Sequence, residues 1–258
     1  MPRGAREQSG SGIYHVMVRG INRQDIFLDR EDHVRYIDTL RVIKGRSGCL
    51  VHAYCLMKNH IHLLLRETNE PVGNVMKRIG SSYVRWYNQK YERVGHLFQD
   101  RFRSEPVEDD AYFLTVLRYI HQNPVRAGLV SDCAIYPWSS YCEYLTPADH
   151  GAAGLTDTNF VLELIGGPQE FRRMHLVLEE GVQPLEYVPS ATEAELKALL
   201  DQLLGGKPTS GLRSMPVVQR NQILARLTSQ PGATYAQVAR ITGIPAPTVR
   251  RSALQARR

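Results

Sequence analysis

Residues 49–67 read CLVHAYCLMKNHIHLLLRE, and the fold turns on how this apolar run is divided. Its halves, CLVHAYCLM (49–57) and NHIHLLLRE (59–67), are each of strand length. A tight turn around Lys58 would join them into an antiparallel pair. Side chains on a strand alternate between faces. Ile61, Leu63 and Leu65 therefore share one face, which reads as core, and His60 and His62 stand together on the other. Two adjacent imidazoles cost a strand stability unless a metal ion, a phosphate or solvent engages them.

Working outward, IYHVMVRG (13–20) alternates and is β-rich, so it reads as a first strand. DREDHVRYIDTLRVIKGRSG (29–48) opens on acidic residues suited to a helix N-terminus. Its Val34, Ile37, Leu40 and Ile43 follow helical spacing, and Gly45 or Gly48 would end it. VGNVMKRIGSSYVRWYNQKYER (72–93) is a long helix with Pro71 at its start. RSEPVE (103–108) is a short strand. DDAYFLTVLRYIHQN (109–123) is a helix that Pro124 is expected to stop. The order strand, helix, two strands, helix, strand, helix predicts an α+β fold: a ferredoxin-like antiparallel sheet with helices on one face.

Two histidines hold a divalent ion well only if a neighbouring element adds a ligand. RYIHQNPVRAG (118–128) offers one. Tyr119 and Asn123 lie four residues apart and share a helical face. An amide oxygen from Asn123 would complete the shell of an ion held by His60 and His62, with Gln122 as a rival. Tyr119 would then stand ready to attack a phosphorus atom. Both imidazoles are expected to be half-exposed, so their removal should change folding by no more than about 1 kcal/mol.

The chain of 258 residues has a net charge of +6 and no apolar run long enough to span a bilayer. The start, MPRGAREQSGSG, lacks the apolar segment of a secretory signal. Cys49, Cys55, Cys133 and Cys142 show no CxxC spacing, which suits reduced thiols in the cytoplasm. Charge is unevenly distributed: +4 over residues 1–143, −5 over 144–189 and +7 over 190–258. Two basic blocks around an acidic connector suit two modules that bind an anionic partner. Around the candidate site, Arg19, Arg23, Arg101, Arg103 and Arg126 are phosphate partners, those of the 98–103 loop most clearly. Tyr83, Trp86 and Tyr87 are spaced as core residues rather than as base-stacking faces.

The blocks IYHVMVRGINRQDIFLD, HAYCLMKNHIHLLL, GHLFQDRFRSEPV, LRYIHQNPVRAGLV and YPWSSY resemble, in type and order over about residues 12–145, the REP-associated tyrosine transposases. These are relatives of the single-strand transposases of insertion sequences within the HUH endonuclease superfamily. The resemblance implies a Mg²⁺ or Mn²⁺ ion on His60 and His62, with Asn123 as the expected third ligand. It also implies that Tyr119 cleaves single-stranded DNA through a 5′-phosphotyrosine, at hairpins of repetitive extragenic palindromes. A catalytically silent hairpin-binding regulator keeping the same fold is the alternative.

Beyond residue 145, TPADHGAAG, IGGPQE, Pro184 and Pro189 punctuate a segment (146–189) read as a linker with short helices. Residues 190–258 restart helical periodicity at EAELKALLDQLLG. TYAQVARITGIPAPTVRRSA (234–253) has a helix-turn-helix layout, with Gly243 suited to the turn and Val249 packing back. Thr248, Arg250 and Arg251 would meet duplex DNA, with Arg257 and Arg258 beyond. This block resembles, more weakly, the duplex-binding domain of DnaA-type replication initiators. The expected partners are thus single-stranded, hairpin and duplex DNA, in the cytoplasm at the nucleoid, with no membrane. Whether the chain acts as a monomer or a dimer stays open.

Overall fold

The computed structural model describes residues 7–146, 154–178, 191–206, 208–230 and 233–255. They fall into two compact units, Met1–Leu185 and Glu186–Arg258. Arg257 and Arg258 lie outside the described residues.

The first unit runs β1 (Ile13–Arg19), α1 (Arg30–Ser47), β2 (Leu50–Met57), β3 (His60–Arg66), α2 (Val72–Lys90), β4 (Arg103–Pro106) and α3 (Asp110–Arg126). The strands form one sheet in the order β2-β3-β1-β4, antiparallel throughout. Local chemistry sets the helix ends. Asp29 and Asp32 form a reciprocal capping box at the start of α1, and Gly48, at φ 71°, closes it. The Asp109 side chain accepts from the Tyr112 N–H at the start of α3.

The α+β fold is as expected from the sequence, but its helices cover both faces of the sheet rather than one. Val16, Val18, Tyr54, Leu56, Ile61, Leu63 and Leu65 pack under α1 and α2, with Tyr36, Leu40, Ile79, Tyr83 and Tyr87. On the opposite face Ile13, Ala53, Cys55, Met57 and Leu64 surround the histidines. They are covered by Phe113, Val116, Leu117, Tyr119 and Ile120 of α3. The reason is apolar area: that face is half hydrophobic, and an antiparallel sheet must bury it against another element.

Two further expectations are corrected. Pro124 does not stop α3, which continues to Arg126. In the last turn a proline forfeits one intrahelical bond, and the Pro124 carbonyl still accepts from the Leu129 N–H at 2.9 Å. Nor is residue 145 the edge of the first unit. α4 (Tyr141–Leu145) is followed by α5 (Asn159–Ile165) and α6 (Pro168–His175), and Val161 and Phe171 are fully buried in the α3 cluster. α3 has a second apolar side, and the segment read as a linker covers it.

In the second unit, α7 (Glu193–Leu204), α8 (Val217–Thr228), α9 (Tyr235–Thr242) and α10 (Ala246–Gln255) enclose a core of Leu200, Leu204, Leu212, Leu224, Leu227, Val238, Ile244 and Val249. Thr192 with Glu195, and Thr234 with Gln237, form capping boxes that start α7 and α9. Gly243, at φ 68°, ends α9 and lets the chain turn into α10.

Candidate metal and tyrosine site

The strand register builds the site. Across β1 and β3, Arg19 pairs with His60, Met17 with His62 and His15 with Leu64. From β2, Met57 pairs with His60 and Cys55 with His62. From β4, Arg103 pairs with Met17 and Glu105 with His15. Directly opposed residues share a face. The face that α3 covers therefore carries His15, Met17, Arg19, His60, His62 and Arg103.

Three histidines thus cluster where the sequence suggested two. His15 Nε2 lies 3.0 Å from His62 Nδ1, with ring centroids 5.2 Å apart. The His60 and His62 rings meet edge to face at 5.1 Å. The signal for His15 was its phase within IYHVMVR, which places it on the Arg19 side. Its proximity to His62 depends on β1 pairing with β3, which no local pattern reveals.

α3 supplies the rest. The Tyr119 ring meets His62 edge-on at 5.6 Å and His15 at 6.0 Å, and the Arg126 guanidinium lies 5.6 Å from its centroid. Asn123 hydrogen-bonds His60, while its Nδ2 donates to the Tyr119 carbonyl at 3.0 Å. Gln122 points elsewhere: its Nε2 donates to the carbonyls of His175 and Val177 at 3.1 and 2.9 Å. The geometry therefore brings Asn123, and not Gln122, to the histidines.

The imidazoles are held neutral. Burial pushes His60 down to about 4, helped by the charge of Arg19. Burial lowers His62 well below the usual histidine range, with His15, His60 and Arg19 adding to it, and takes His15 to about 3. His62 is 2% exposed, in contrast to the half-exposed position expected. The His60 tautomer follows from its neighbours. Asn59 Nδ2 donates to the Arg23 carbonyl at 3.3 Å, which turns Oδ1 toward His60 Nδ1 at 2.7 Å. His60 Nδ1 then carries the proton, and Nε2 keeps its lone pair.

Neutral imidazoles with a neighbouring amide oxygen are a donor set that fits a divalent cation. Among the described residues, no group of three or more His, Cys, Asp or Glu has the geometry to hold one, so any such site depends on Asn123. Burial pushes the Cys55 thiol well up, so it stays protonated beside His62 and is a poor ligand.

The expected phosphate partners separate. Arg19, Arg103 and Arg126 belong to the histidine face. Arg23 is exposed on the turn that holds Asn59. Arg101 lines a cleft of about 530 Å³ with Val18, Lys77, Phe98 and Phe102, on the side of the sheet that α2 covers. In the second unit Arg250 and Arg251 are exposed on α10, and Thr248 is half-buried beside the core residue Val249.

An antiparallel sheet thus sets paired histidines against a helical tyrosine. Residues 9–123 match the model of the IS200-like transposase family. The chain is 29% identical over 101 residues to a candidate REP-associated tyrosine transposase of Haemophilus influenzae, a match covering 34% of this chain and 57% of that relative. The chain thus spans little more than half the length of that relative. A REP-associated tyrosine transposase solved bound to a REP hairpin aligns with a TM-score of 0.48 and 17% identity, over 57% of this chain and 86% of that one. A candidate transposase of Deinococcus radiodurans aligns with a TM-score of 0.34 and 20% identity, over 46% of this chain and 96% of that one. No helix among the described residues is long and apolar enough to cross a membrane.

Proposed function

We propose that this chain is a metal-dependent single-stranded DNA endonuclease and strand transferase acting at hairpins, with Tyr119 as nucleophile. The observation that carries the reading is the packing of the Tyr119 ring against His62, one helical turn from an Asn123 bonded to His60.

In this reading His60, His62 and Asn123 hold Mg²⁺ or Mn²⁺. When bound, a divalent ion withdraws charge from a scissile phosphate. The Tyr119 oxygen attacks phosphorus, a P–O bond to tyrosine forms, and the bond to the 3′ oxygen breaks. The leaving 3′ oxygen takes up a proton, and the tyrosine gives one up. The number of phosphoester bonds is unchanged, so a second 3′-hydroxyl can reverse the step without an outside energy source. Arg19, Arg103 and Arg126 offset the charge of the bound backbone. The second unit is a helix-turn-helix module, with Thr248, Arg250 and Arg251 of α10 meeting duplex DNA. The partners and the setting proposed are hairpin and duplex DNA at the cytoplasmic nucleoid.

The test is to incubate the protein with a panel of hairpin oligonucleotides and Mn²⁺ and then to denature it. A protein band shifted by covalent DNA, and lost in Tyr119→Phe, supports the reading. Hairpin binding without any adduct across the panel would instead make the chain a silent regulator.

A further inference from the structure

We propose that His15 is a positioning residue for the metal site: it accepts the Nδ1 proton of His62 and so fixes His62 with its Nε2 lone pair turned to the ion. This deepens the reading above and rests on it. A neutral imidazole presents a lone pair at one nitrogen only if the other carries the proton. The group that meets His62 Nδ1 in this structure is His15 Nε2, at 3.0 Å. An imidazole that ligates a metal characteristically donates its other N–H to such a neighbour, which sets ring orientation and tautomer. His60 has a counterpart in Asn59, which accepts its Nδ1 proton. Each strand histidine therefore has its own orienting residue, one on the turn before β3 and one on β1.

The second argument is what His15 costs the fold. Its side chain is fully buried, and its Nδ1 has no hydrogen-bond partner among the described residues. A buried polar nitrogen without a partner is destabilising. Its neighbours on the same face, Ile13 and Leu64, belong to the apolar core, so a hydrophobic residue at 15 would serve packing better. The imidazole at 15 is explained by its bond to His62 and not by stability.

The test compares His15→Met, similar in length but lacking a strong acceptor, with His15→Gln, whose amide oxygen can occupy the position of Nε2. The full-length proteins are titrated with Mn²⁺ alone by calorimetry, alongside His60→Ala. His15→Met is expected to bind Mn²⁺ about 10–100-fold more weakly while melting no lower than the parent, and His15→Gln to recover most of that loss. Wild-type affinity in His15→Met, with binding lost in His60→Ala, overturns the role of His15 and leaves the metal site standing. Unchanged affinity in both variants removes the metal reading and this inference with it. A second measurement stands without any variant: in the Mg²⁺-saturated parent protein, nitrogen-15 correlation spectra of the imidazoles should place the shared proton on His62 Nδ1. Finding it on His15 Nε2 overturns the proposal.

Discussion

Asn123 donates its Nδ2 to the Tyr119 carbonyl one turn back, at 3.0 Å, which commits the amide's donor end to the helix. The same amide meets His60 on the histidine side. One residue thereby ties the candidate nucleophile's own turn to the candidate ligands. Asn123→Ala should weaken Mn²⁺ binding and adduct formation by at least about 10-fold, whereas Asn123→Asp, which keeps an oxygen and adds charge, should retain both. Gln122→Ala should retain adduct formation and lower the melting temperature, because Gln122 fastens α3 to the backbone at 175 and 177. Calorimetry with Mn²⁺ and the covalent-adduct assay check this. Adduct loss in Gln122→Ala, with Asn123→Ala active, would exchange their roles.

His60 and His62, both proposed ligands of one ion, should separate in stability. His62 is 2% exposed between Cys55, Met17 and the Tyr119 ring, so His62→Ala opens a cavity and should cost about 2 kcal/mol. His60 is half-buried, and His60→Ala should stay within about 1 kcal/mol. Urea unfolding of the metal-free proteins measures both. Equal costs would show that His62 is not the more tightly packed of the two.

Much of this architecture could be read from residues 49–67, because a period of two forces His60 and His62 to one face and Ile61, Leu63 and Leu65 to the other. The pairing of Tyr119 with Asn123 was legible for the same reason, as a helical period. What escaped was non-local. His15 reaches His62 only because β1 lies between β3 and β4. The cover over the histidine face comes from α3, which α5 and α6 pack against in turn, and their apolar sides do not announce what they will meet. Gly167 and Pro168 look like linker punctuation, yet they sit at the start of α6, which carries Phe171 into the core. Proline is at home in the first turn of a helix as well as in a loop.

A second histidine pair predicts how stability depends on pH. His175 Nδ1 meets the Phe171 carbonyl at 2.8 Å, so its Nε2 faces His121 Nδ1 at 3.1 Å as acceptor. His121 Nε2 in turn meets the Ser140 hydroxyl at 2.7 Å. Burial lowers His175 to about 4, with Arg118 adding to it and the Phe171 bond opposing. Burial, with His175 next, holds His121 well below the ordinary value. The unfolded chain, with histidines near 6.5, binds more protons between about pH 6.5 and 4, so stability falls as pH drops through that window and is level above it. An imidazole held near 4, as His175 is, contributes roughly 2 kcal/mol of this loss by pH 5. The melting temperature should therefore decline from pH 7 to 5, and His121→Leu should show a shallower slope from a lower starting value. An unchanged slope in that variant would mean that His121 does not titrate on unfolding.

In the second unit the candidate DNA contacts stand on a helix anchored by its own core. Val249 is fully buried and Ser252 and Ala253 nearly so, while Arg250 and Arg251 between them are exposed. The same helical turn thus packs inward and presents two cations outward. If these reach phosphates, Arg250→Ala and Arg251→Ala should each lower the slope of log affinity against log salt for duplex DNA by about 1, uniformly across sequences. Thr248→Ala should instead alter preference among sequences if it touches a base edge. Deleting residues 190–258 should weaken duplex binding and flatten its salt dependence while the first unit still forms its adduct with hairpin DNA. Fluorescence anisotropy across a salt series measures each case. A salt slope left intact by both arginine substitutions and by the deletion would take the second unit out of DNA binding and assign the duplex affinity to the first.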